Sequence, residues 1–265
     1  MKALCYVYGI VPDKPGLKNP PDGIDDAPVS LLRNVGLAAL ASELDPTTYT
    51  QETIEASSGD VNWISPRAQA HDRVLTWASD RAPVVPLVMF SSVFSDAEAV
   101  KKMLSERSAE FHAAIERVSR GREYALRVYR VDSELKAALP SLDPELGKLA
   151  AEAKAASPGQ RYLIERKLDE RVKEEVRSAG ARIADEIKSE LARVALETAT
   201  SPIPKVSSDA PGVMVLNAAF LIDPDKLRSF QERLTAIVDK RKTSGFRFDF
   251  TGPWPAYHFA RGDRA

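Results

Sequence analysis

"EYALRVYRV", residues 123–131, alternates apolar with polar and charged side chains, the two-residue period of a strand that buries one face. It closes an order of strands and helices that begins at the N-terminus, so the fold of the first half turns on it. Upstream, "ALCYVYGIV" (3–11) is rich in β-favouring residues and stops at Pro12, as a buried strand does. Residues 12–28 are dense in Pro, Gly and Asp and predict a loop. "VSLLRNVGLAALASEL" (29–44) reads mainly as strand, although Leu37 to Ala41 would also suit a helix. "VVPLVMF" (84–90) is a further strand. Pro86 removes one ladder hydrogen bond there and demands a bulge or an edge position.

Helices announce themselves by a capping side chain before a proline, where the missing N–H costs nothing and φ is already set. Ser65-Pro66, Asp143-Pro144, Ser157-Pro158 and Asp223-Pro224 have this form. Ser157 with Gln160, and Ser95 with Glu98, also have the spacing of a capping box. From Asp96 a helix carries Val100, Leu104, Phe111, Ile115 and Val118 on one face and can close at Gly121. The order to residue 131 is strand, strand, helix, strand, helix, strand. This is a layered α+β domain close to a ferredoxin-like arrangement, expected over residues 1–135.

Residues 136–265 are expected to form a second domain, a smaller α+β unit with long helices. From 132 to about 198 the chain reads as helical. Ile164, Leu168, Val172, Val176, Ala179, Ile183, Ile187, Leu191 and Val194 make one stripe with a mean step of 3.75 residues. A left-handed coiled coil wants 3.5, so this helix lies along a surface instead. "VMVLNAAFLI" (213–222) is a strand, and a helix from Pro224 turns Leu227, Phe230, Leu234 and Ile237 inward. "FRFDF" (246–250) alternates ring and charge as a half-buried strand.

That strand runs into "TGPWPAYHF" (251–259). Prolines at 253 and 255 hold the backbone extended and stop further ladder bonds. The motif is read as a rigid cover over its own sheet, with Trp254 in the core. Its outer side could still meet a partner, so Pro253, Trp254, Pro255, Tyr257 and Phe259 are the candidate structural or partner-contact residues.

Composition excludes several classes. The chain has 265 residues, 44% hydrophobic and 28% charged, with net charge −1. Residues 1–131 hold 15 basic and 17 acidic side chains, and 132–265 hold 22 and 21, so no region could neutralise a run of phosphates. The single cysteine, Cys5, forms no internal pair and reads as an inert buried thiol. The apolar start is too short for a signal peptide or a membrane span, and a cytoplasmic protein is expected.

No constellation reads as an active site. His71 and Asp72 are neighbours on a helix, where successive residues point about 100° apart; a capping or packing histidine is expected. His112 and His258 are isolated, no group has metal-ligand spacing, and no glycine-rich phosphate loop follows a strand. The basic run 240–245 suits the end of a helix. Catalytic, cofactor and metal residues are therefore expected to be absent. The competing readings are a ferredoxin-like enzyme or small-molecule-binding protein using the His71 region, and a generic helical adaptor.

Five blocks, in order over nearly the whole chain, resemble the gas vesicle GvpF/GvpL family. "GPWPAYHF" (252–259) is similar to its GPWPPYSF-type motif and "YVYGIV" (6–11) to its start. "AHDRVL" (70–75) with "VVPLVMFSSVF" (84–94) looks like its HExV and VxPLRFGTVF stretches. "SPGQRYLIERK" (157–167) resembles its PGxxYLxxR element, and "VLNAAFLI" (215–222) its NxAFLV strand. The departures are "LVMFSS" for LRFGT, Ala256 for Pro and His258 for Ser. The resemblance implies a modified ferredoxin-like N-terminal domain and a C-terminal α+β domain with long helices. It also implies a non-enzymatic minor gas vesicle protein required for assembly. Such a protein would hold or nucleate the small, very apolar shell protein GvpA, meet other gas vesicle accessory proteins and remain associated with the vesicle.

Overall fold

The computed structural model describes residues 3–204 and 210–260. They form two compact units, one from the residues up to Glu123 together with those from Pro253 on, the other Tyr124–Gly252.

In the first unit β1 (Leu4–Pro12) is followed by the hairpin β2 (Ser30–Asn34) and β3 (Leu37–Leu44), then helices α1 (Gln51–Ser57) and α2 (Val61–Ser79). Short strands β4 (Val85–Pro86) and β5 (Val93–Phe94) and helices α3 (Ala97–Glu106) and α4 (Ser108–Ser119) complete it. The sheet order is β2-β3-β1-β4, with β5 also on β1, and every pair is antiparallel. That is a ferredoxin-like sheet, modified because β1 reaches β2 through a loop in place of a helix.

β1 is buried almost throughout, and a bulge between Val7 and Gly9 shifts its parity. Tyr6, Tyr8 and then Val11 enter one core with Leu40, Val74 and Leu75. A Cβ on Gly9 would lie 2.8 Å from Leu75 Cδ2 and 2.9 Å from the Val85 carbonyl oxygen, so only glycine fits there. Pro86 pairs with Gly9 on the last strand of the sheet path, the edge position its missing N–H required.

The second unit begins within β6 (Arg122–Arg130), at Tyr124, and the strand leads to α5 (Asp132–Leu142), α6 (Pro144–Ala155) and the 35-residue α7 (Pro158–Ala192). β7 (Glu197–Thr200), β8 (Val213–Ile222), α8 (Leu227–Arg241) and β9 (Phe246–Trp254) follow. The sheet order is β7-β8-β6-β9. Its core joins Leu126 and Val128 of β6 to Phe220 of β8, Phe230 of α8 and the α7 stripe from Val172 to Leu191.

The alternating strand expected to close the first domain, β6, belongs to the second sheet. The segment 29–44 is a hairpin, so it supplies two strands where one was expected, and the first sheet is complete without 123–131. The compact units accordingly part at Glu123 and again at Gly252, where the sequence reading divided the chain once, at residues 135/136. The turn is Val35-Gly36, with φ of +47° and +76°.

Three further expectations are corrected. Pro66 lies inside α2, which starts five residues earlier under an Asp60 cap; the carbonyl that loses its partner, on Asn62, is on an exposed residue. The helix from Asp96 is capped by that residue, whose carboxylate accepts from Ala99 N–H at 2.9 Å, and it breaks at Arg107. Of the run 84–90 only Val85–Pro86 is strand; a turn in which Phe90 has φ +61° follows, and β5 begins beyond it at Val93.

Candidate functional site

The Pro-Trp-Pro motif sits at the end of β9, which runs through Gly252, with φ +129°, and on past Pro253 to Trp254, so Pro253 does not end the strand as expected. Its residues divide sharply by burial. Phe259 is 2% exposed, and Ala256 and Ala260 are buried with it, whereas Trp254 is 40% exposed and Tyr257 36%. Trp254, expected in the core, is therefore a partly exposed ring, and Phe259 is the fully buried ring that anchors the segment. A turn holds the segment together through Ala260 N–H donating to Ala256 O at 3.0 Å.

Two carboxylates hold it within the first unit. Glu123 is 2% exposed; one of its oxygens accepts from the His258 backbone N–H at 3.0 Å and the other lies 2.7 Å from His258 Nδ1. The hydrogen bond to Glu123 raises the His258 pKa against the opposing effect of burial. Tyr257 Oη donates to Asp72 Oδ1 at 3.0 Å, and burial with the Asp72 charge pushes the phenol pKa up. The sequence reading singled out neither carboxylate for this role. They lie 135 and 185 residues from their partners, and no local spacing could have marked them.

His71 and Asp72 do point to different surroundings, as consecutive helical residues must. His71 is 5% exposed, and its Nδ1 lies 2.7 Å from Tyr6 Oη. Its ring packs edge-on to Tyr6 and tilted on Tyr8, with centroids 5.8 and 5.6 Å away. A backbone hydrogen bond with Leu87 occupies it further, and burial lowers its pKa to about 4 despite the nearby Asp72 charge. Tyr6 carries a backbone hydrogen bond with Phe90. A neutral His71 thus clamps α2 to β1 and to the turn before β5, as a packing histidine.

Beside that turn lies a cluster the sequence did not announce. Arg67 stacks its guanidinium over Trp63 at 4.3 Å and donates to Tyr49 Oη at 2.8 Å. It also donates to Asp25, which accepts from Tyr49 Oη as well. Trp63 packs on Phe90 with centroids 5.1 Å apart. Asp25, Asp26 and Phe90 all have positive φ, so the contacts hold a backbone that ordinary side chains avoid. Cys5 is buried, and desolvation with the Glu43 and Asp96 charges pushes its thiol up to about 11, which keeps it protonated. Among the described residues no group of three or more His, Cys, Asp or Glu is placed to hold a metal ion, and no helix is long and apolar enough to cross a membrane.

The chain and its fold have known relatives. The family described as "Gas vesicle synthesis protein GvpL/GvpF" matches residues 4–261. Gas vesicle protein L of Streptomyces sp. is 31% identical over 260 residues, 97% of this chain and 92% of that protein. Gas vesicle protein L1 of Halobacterium salinarum is 25% identical over 244 residues, 90% and 83% of the two chains. The crystal structure of GvpF from Anabaena sp. superposes with a TM-score of 0.70 at 20% identity, covering 99% of this chain and all of that one. GvpF from Microcystis aeruginosa gives 0.63 at 21% identity, covering 98% and 99%. The two solved structures share the fold, and the match from residue 4 to 261 shows that this chain belongs to the gas vesicle GvpL/GvpF family.

Proposed function

We propose that the protein is a non-enzymatic assembly factor that binds the apolar shell protein GvpA, keeps it from aggregating and delivers it to the growing vesicle. It works in the cytoplasm and at the vesicle, with other gas vesicle accessory proteins as further partners. Membership of the family over nearly the whole chain carries this reading. The side chains that could do chemistry support it. His71 is a buried, neutral clamp and Cys5 a protonated buried thiol. A shell subunit that exposes apolar surface before assembly needs a partner with complementary apolar surface. The exposed faces of Trp254 and Tyr257, on a segment pinned by Phe259 and Glu123, are the part of the motif offered to it.

Co-expression tests this directly. The shell protein should co-purify with the full chain, and its light scattering on dilution from denaturant should fall when the chain is present. A shell protein that neither co-purifies nor aggregates more slowly overturns the reading.

A further inference from the structure

β9 is the last strand of its sheet, and among the described residues no strand pairs with its outer edge. An open edge is a template for another strand. Beside it runs a groove of 510 Å³ lined by Leu234, Thr235 and Val238 of α8, by Lys242 just past its end, and by Phe246, Arg247, Phe248 and Phe250. Phe248 and Phe250 are half-buried against the core, with Phe250 stacked on Tyr124 and Phe230 at 5.3 and 5.7 Å. Along the strand the side chains of Arg247 and Asp249 alternate with these rings and turn to the other side of the sheet, although Arg247 also borders the groove. They reach Glu134 at 2.6 Å and Arg127 at 3.4 Å, and all four side chains remain more than two-fifths exposed.

The strand reads Phe246-Arg247-Phe248-Asp249-Phe250, a palindrome in its rings and an antisymmetric sequence in its charges. We propose that this edge is a self-association surface and that its partner is β9 of a second copy of the chain, paired antiparallel about a two-fold axis at Phe248. Residues directly opposite in an antiparallel pair share a face. Phe246 then meets the second copy's Phe250, the two Phe248 rings meet each other, and Arg247 meets Asp249 on both sides of the axis. A two-fold interface must be self-complementary in this way. The charges also fix the register. Sliding by two residues in one direction sets Arg247 against Arg247, and in the other Asp249 against Asp249. Pairing joins two four-stranded sheets into one of eight strands and covers both grooves.

Light scattering coupled to size-exclusion chromatography of the full chain tests this. The wild type should elute at twice the monomer mass. Arg247→Asp and Asp249→Arg should each elute as monomers with near wild-type circular dichroism, because each sets like charges opposite each other. Mixed in equal amounts they should recover the dimer, since each altered position then faces the other with opposite charge. Each variant also breaks one exposed pair within its chain, and that loss is the same before and after mixing. A monomeric wild type overturns the proposal, as does a dimer that survives either substitution or a mixture that stays monomeric.

Discussion

His71 and His258 titrate with opposite signs because their surroundings differ. His71 folds neutral, with its pKa lowered by burial from 6.5 to about 4. The unfolded chain therefore binds the extra proton first. Its contribution is complete above the unfolded pKa and is lost as pH falls through the window from 6.5 to about 4, by about 3 kcal/mol in all. Thermal melts across that window should show the midpoint falling with pH, and His71→Gln should flatten the dependence. An unchanged slope in a folded variant would place the acid sensitivity elsewhere. His258, raised by its bond to Glu123, contributes below its unfolded pKa and loses that contribution as pH rises through its folded value. The motif's rings separate by burial in the same residue-by-residue way. Phe259→Ala should cost about 3–5 kcal/mol through the cavity it leaves. Trp254→Ala should cost only about 1–2 kcal/mol, because much of that ring already meets water, and should weaken capture of the shell protein. Equal losses of melting temperature would contradict the division of the motif into anchor and exposed face.

At the scale of elements, the hairpin β2–β3 shows what the sequence carried and what it hid. A two-residue turn with both φ positive needs Asn or Gly at its first position, and here a valine holds it. Read from residue types, Val35 continues a strand, so 29–44 could not be seen to fold back. The positive φ of a β-branched residue costs about 1–2 kcal/mol. Val35→Asn should therefore raise stability by about 1 kcal/mol in a denaturant titration, and a loss would show that Val35 is held by packing despite its exposure. The α7 stripe was legible because its period is long and regular, yet its use is uneven. Buried side chains begin only at Val172, while Tyr162 and Leu163 are 67% and 66% exposed. Periodicity gives the face of a helix and not which turns find a neighbour. Ile183→Ala should cost about 2–4 kcal/mol, and Leu163→Ala less than about 0.5 kcal/mol, measured by the same titration. The candidate site was legible only in part: prolines and rings flagged the segment, but Glu123 and Asp72 come from distant strands and helices.

For the whole molecule, the second unit is an insertion in the sequence of the first, since residues on both sides of Tyr124–Gly252 belong to one compact body. A linear reading assumes that a domain ends once, and residues 1–135 look complete on that assumption. The structure gives a fragment of that length two defects. It carries Leu126 and Val128 without the α7 stripe and the β8 strand that bury them, and it lacks Phe259 and the His258 bond to Glu123. We expect residues 124–252, a continuous piece with its own core, to melt cooperatively when expressed alone. Residues 1–135 should aggregate or melt broadly, exposing an apolar strand edge. Joining 1–123 to 253–265 through a short flexible linker should restore a cooperative transition, because it removes the orphan strand and returns the anchor. Circular dichroism melts of the three fragments decide it. A cooperative 1–135 fragment, or a joined fragment no better behaved than it, would show that the segment from Pro253 on is dispensable to the first unit.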